Sequence, residues 1–188
     1  ILKAPEMAGP LLAFYFLSAV VSVPFWGFIS EKFKKESCWK VAMIIASIVF
    51  LNIFFIDENT LILFIVITFI TGFMAGADLT LPVSMLADLI DVDEMETGNR
   101  RPSIYFSIWG ITSKLTLALA IGVSFPLLEL NGGVLGNAKI DEGMLIILYG
   151  FLPCLLKLWS VWFLRGYSLS SKEHNKITFQ LKSNKGLH

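Results

Sequence analysis

The chain has 188 residues, 55% of them hydrophobic and only 16% charged, well below the roughly 25% charged residues of soluble domains. That balance excludes an ordinary soluble domain and points to membrane residence, while a formal net charge of zero removes the bulk basic signature of a nucleic-acid partner. Cys38 lies in a basic loop and Cys154 in an apolar run, so the two cysteines suggest neither a disulfide nor a metal or redox motif.

The chain starts at Ile1, with no charged segment ahead of a short apolar core, so it shows no signal peptide. The expectation is a piece of a longer protein whose amino-terminal part is missing. Five apolar runs follow, at residues 10–30, 41–56, 61–87, 102–128 and 143–164. A helix needs about 20 residues to cross the ~30 Å hydrocarbon core. Four runs meet that length. The second has 16 residues, and Lys40 and Asp57 at its ends can sit at the interfaces. The polar faces that soluble helices need are missing, so residues 1–166 predict an all-α membrane protein of about five transmembrane helices. Residues 167–188 predict a polar tail.

Loop charge sets the orientation. The first loop carries Lys32, Lys34, Lys35 and Lys40, and the third carries Arg100 and Arg101. The second loop has no Lys or Arg, and the fourth has only Lys139. The tail is again basic. Such alternation places the first and third loops and the tail in the cytoplasm. Gly72 and Gly76 form a GxxxG that permits close helix approach. Pro24, Pro82, Pro126 and Pro153 each remove a backbone donor and can kink a span.

Charges inside the runs need an explanation. Lys114 lies 13 residues past Arg101, about 20 Å in, and Asp78 lies ten residues before Asp88, about 15 Å in. The similar depths allow the two to meet. Ser103, Ser107, Gly110 and Lys114 share one helical side, a small and polar stripe suited to a wet cavity. Two readings stay open: Lys114, Ser107 and Asp78 line a substrate cavity, or Lys114 and Asp78 form a structural pair. Lys157, eight residues before Arg165, is expected to snorkel to the inner interface beside Trp159 and Trp162. At the end of the third run, Asp88 and Asp91 share a face that Glu94 continues. They read either as a solvated helix end or as a salt-bridge latch to Arg100, Arg101 and the basic first loop. Ser107 and Ser113 lie near Lys114, but no oxyanion donor accompanies them, so an enzyme is not expected.

The stretch "SMLADLIDVDEMETGNRRPSIYFSIWGITSK" resembles the glycoside–pentoside–hexuronide cation symporters of the major facilitator superfamily, which include the melibiose carriers. The shared pattern is A-D-x-x-D-x-x-E, a short loop with an Arg, then a helix with a mid-membrane Lys. Here these are Asp88, Asp91, Glu94, Arg101 and Lys114. "GFISEKFKK" is similar to the superfamily loop G-x-x-x-D-R-x-G-R-R, through Gly27, Glu31, Lys32 and Lys35, with Lys34 in place of the second Gly.

The resemblance implies a partial major facilitator fold, helices eight to twelve of a twelve-helix carrier. It implies cation-coupled symport, driven by Na⁺ or H⁺, of a small solute, preferably a sugar or glycoside, by alternating access. It also implies a site for Lys114 near sugar and cation, although Leu79 stands where melibiose carriers have a Trp. The coupling-cation site would lie mainly in the missing amino-terminal half of the same chain, with no other cofactor. Glu31, Lys32 and Lys35 would join the acidic cluster in gating ion pairs. Animal relatives carry lysophospholipids with sodium, so a lysophospholipid or other solute is the alternative cargo. A non-transporting structural or interaction subunit is the alternative function. The expected location is the plasma membrane (the bacterial inner membrane), in contact with lipid and not with nucleic acid.

Overall fold

The computed structural model describes residues 5–52, 60–130, 143 and 147–166. All regular structure among the described residues is helical. Five α-helices run in chain order: α1 (Ala8–Lys32), α2 (Lys35–Phe50), α3 (Leu61–Thr97), α4 (Pro102–Leu130) and α5 (Leu152–Phe163). A π-helical turn, Ile147–Phe151, leads into α5. Helices α1, α3 and α4 are long and apolar enough to cross a membrane. Helices α2 and α5, with 16 and 12 residues, are shorter than a full span. The tail expected at 167–188 and the loop carrying Lys139 lie outside the described residues.

The packing inverts the pattern of a soluble bundle. On α1 the buried residues are largely small and polar: Ser18, Ala19, Ser22 and Ser30, with Leu11 and Trp26. Phe16, Leu17, Val20 and Val21 face outward. Lipid is as apolar as Leu, so burying Leu gains little there, and close van der Waals approach decides which face turns inward. The GxxxG of α3 provides that approach. A Cβ added at Gly72 would lie 2.6 Å from both the Tyr15 carbonyl oxygen and Ser18 Oγ. One added at Gly76 would meet Ser22 Oγ and lie 2.6 Å from the Ala19 carbonyl oxygen. Side-chain donors of α1 then bond the α3 backbone. Ser18 Oγ donates to the Phe69 carbonyl at 2.8 Å, and Trp26 Nε1 to the Phe73 carbonyl at 3.0 Å.

Helix α2 crosses the same pair, and Trp26, Cys38, Ala42, Ala77 and Leu81 form the shared core. Helix α5 lies against α2, where the Cys154 thiol approaches the Ser47 carbonyl at 3.6 Å. Pro153, expected to kink a span, instead sits in the first turn of α5. A missing N–H costs nothing at that position.

The acidic stretch after residue 87 is helical, so α3 continues to Thr97. Gly98 ends it in the left-handed conformation (φ 70°), donating its N–H to the Glu94 carbonyl at 2.9 Å. Only Gly98–Arg101 separates α3 from α4. Helix α4 is largely uncovered by the rest of the chain, from Ile104 to Phe125.

Gly76→Ala is expected to lower the melting midpoint in detergent, by an overpacking cost of about 1–3 kcal/mol. Gly27→Ala, where the added methyl meets nothing within 4 Å, is expected not to lower it.

Candidate functional site

Charged groups gather in two places, at mid-depth in the bundle and at its basic end. At mid-depth Asp78 is the centre. Its Oδ1 accepts from Trp39 Nε1 of α2 at 2.7 Å, and its Oδ2 from Lys157 Nζ of α5 at 2.6 Å. Three helices therefore converge on one carboxylate. Both oxygens are occupied by donors, as an ionised group away from water requires.

The expected Asp78–Lys114 pair does not form. Asp78 lies on the face of α3 that turns toward α2 and α5, while Lys114 is exposed on α4 and makes no ion pair among the described residues. Depth matching is a one-dimensional test, and the direction around each helix axis decides the partner. Lys157 does not snorkel either, because its ammonium ends on Asp78. Ser107 shares the uncovered surface of α4 with Lys114. The sequence reading missed Trp39 entirely. Its one signal is the indole N–H, which demands an acceptor when it is carried into a bundle. Beside Lys157 a cavity of about 210 Å³ is bounded by Tyr15, Ser47, Thr71 and Cys154 among others.

At the basic end, Lys35 and Asp88 come together. Lys35 Nζ donates to both carboxylate oxygens, at 2.6 and 2.7 Å, and Asp88 is buried. Arg100 lies 3.7 Å from Glu94 and 3.9 Å from Asp91, looser pairs inside the α3–α4 turn. Arg101 bonds Asp93 through two nitrogens, at 2.7 and 3.2 Å. The Asp93 carboxylate, by hydrogen bond and by charge, raises the affinity of this guanidinium for its proton above the ordinary value. Asp93 was not among the expected residues, because it lies off the face shared by Asp88, Asp91 and Glu94. That offset turns it toward the start of α4. Lys32 does not join an acid: its ammonium sits 4.2 Å above the Phe28 ring. Glu31 is exposed and makes no ion pair among the described residues.

Asp78→Asn is expected to cost roughly 2–3 kcal/mol of stability, since it leaves Lys157 charged and unpaired inside the bundle. The double variant Asp78→Asn with Lys157→Met should recover most of that loss in a thermal melt. Lys114→Met should leave the midpoint near its starting value.

A model of the family described as MFS/sugar transport protein matches residues 1–171. The sphingosine-1-phosphate transporter MFSD2B of Xenopus tropicalis is 25% identical over 88% of this chain and 33% of its own length. The sodium-dependent lysophosphatidylcholine symporter 1 of Gallus gallus is 29% identical over 62% of this chain and 22% of its own length. An uncharacterized 29.9 kDa protein of Pseudescherichia vulneris is 27% identical over 79% and 56%. The chain thus spans about a third or less of the two transporters. Its helices, their inverted packing and a family match along nearly their whole length agree: the chain belongs to the MFS/sugar transport protein family of the major facilitator superfamily.

Proposed function

We propose that this chain forms part of a cation-coupled symporter that works by alternating access and carries a single-chain amphiphile with a phosphate-bearing head. The observation that carries this reading is Lys114. It is a cation without an ionic partner among the described residues, on a helix whose surface is otherwise apolar, with Ile108, Ile111 and Leu115 exposed around it. A lone ammonium at membrane depth is stabilised by an anionic group, and flanking Ile and Leu side chains suit an alkyl chain. The names of the Xenopus and Gallus relatives support a cargo of this class, and the second supports sodium as the coupling ion. In this reading Lys114 and Ser107 contact the head, and the Na⁺ site lies mainly in parts of the protein beyond this chain. Asp78, turned toward α2 and α5, holds the bundle instead of the cargo.

The basic end would face the cytoplasm of a plasma-membrane protein. Lys35–Asp88 and the pairs of Asp91, Asp93 and Glu94 with Arg100 and Arg101 would close that side. A sugar or glycoside cargo is the second reading. The polar stripe of Ser103, Ser107 and Gly110 favours it, as does the A-D-x-x-D-x-x-E pattern shared with the glycoside–pentoside–hexuronide symporters.

Proteoliposome uptake of labelled lysophosphatidylcholine and of labelled melibiose, with and without a sodium gradient, tests the reading. Sodium-stimulated lipid uptake that falls at least about tenfold in Lys114→Ala and partly returns in Lys114→Arg is the expected result. The tenfold loss corresponds to about 1.4 kcal/mol. Near-normal lipid uptake by Lys114→Ala would overturn the role of Lys114, and melibiose uptake alone would favour the second cargo.

A further inference from the structure

Pro82 lies within α3, buried, four residues after Asp78. It has no N–H to donate to the Asp78 carbonyl, so the hydrogen-bond ladder of α3 is interrupted at the very residue that binds α2 and α5. Sharp helix bends concentrate at such positions. On the Leu61 side of the break, α3 is fastened at several points. Gly72 and Gly76 lie against the α1 backbone, Trp26 and Ser18 donate to Phe73 and Phe69, and Asp78 holds Trp39 and Lys157.

On the Thr97 side, Lys35 of α2 holds Asp88, while Arg100 and Arg101 pair within the α3–α4 turn and would travel with it. Met85 and Ile90 are buried there as well, but apolar contacts are non-directional and can slide. Lys35 and Trp39 lie one turn apart on α2, so one face of α2 reaches α3 on both sides of the break. Helix α2 acts as a splint across the proline.

We propose that α3 bends at Pro82 when the Lys35–Asp88 bond opens, and that Trp39 and Lys157 are positioning residues that confine the bend to the turn between Asp78 and Pro82. The upper segment of α3 stays docked on α1, and the lower segment swings with the α3–α4 turn. This deepens the alternating-access reading by naming the element that moves and the groups that hold the rest still. Its purpose rests on that reading; the bend itself does not.

The test uses pulsed electron–electron distance measurements on the protein in lipid nanodiscs, with Cys38→Ser and Cys154→Ala as background. One label pair, Ser37→Cys and Met95→Cys, reports the lower segment. The other, Leu12→Cys and Val66→Cys, reports the upper one. All four sites are exposed. Lys35→Gln opens the latch. A bend of about 20° acting over the roughly 20 Å from Pro82 to Met95 moves the lower end by about 7 Å. The lower distance is therefore expected to lengthen by about that amount while the upper one stays fixed.

Adding Trp39→Phe, which keeps the ring and removes the donor, should let the upper distance change too. Lys157→Met should do the same, and Lys157→Arg should restore confinement. Pro82→Ala should cut the lower displacement at least by half. Both distances changing together with Trp39 and Lys157 intact would overturn the proposal, as would full displacement in Pro82→Ala. A confined bend in a preparation without uptake supports the hinge and counts against the carrier reading alone.

Discussion

One carboxylate holds three helices. Asp78 accepts a proton from the indole of α2 and another from the ammonium of α5, and it does so at a depth where an unpaired charge is costly. That constraint explains several features together. It directs Trp39 and Lys157 inward and gives the short α5 a fixed anchor. It also turns the face of α3 that bears Asp78 away from α4. The uncovered state of α4 and the separation of Lys114 from Asp78 follow from the same choice of partner.

Packing around this centre is made by what is left out. Without a gain from burying Leu against lipid-like surroundings, α1 and α3 approach through Gly72, Gly76, Ser18, Ala19 and Ser22. The contact is close enough for a serine hydroxyl and an indole to reach backbone carbonyls of the neighbour. Bulky residues are relegated to the outside, where they meet lipid or further parts of the protein. An outward-facing Phe16 or Leu17 is thus a consequence of the solvent, not a flaw in the core.

Much of the architecture was legible in the sequence because apolar run length is dictated by membrane thickness. The first, third and fourth runs correspond to α1, α3 and α4, with α3 ten residues longer than its apolar part. The extension was hidden because Asp88, Asp91 and Glu94 end the apolar run without ending the helix. The close approach at Gly72 and Gly76 was visible, since small residues four apart form a flat strip. The pairing of Asp78 was not. Lys114 and Lys157 are both buried in apolar sequence at comparable depth, and only rotation about the helix axes distinguishes them. Lys35–Asp88 came from charge at the two ends of a possible latch, whereas Asp93–Arg101 depends on the tight turn that Gly98 makes.

The turn at Gly98 has a mechanical consequence. Four residues join α3 to α4, and the Arg101–Asp93 bond spans them, so the two helices are coupled rigidly at that end. Any tilt of the lower part of α3 is transmitted to α4 as a lever stroke. Lys114, about 20 Å along that lever, is then displaced without changing its own rotamer. A unit charge moved across a full membrane potential of 100 mV exchanges about 2.3 kcal/mol with the field. A fraction of that crossing by Lys114 makes the α3–α4 hairpin a voltage-sensing element as well as a wall.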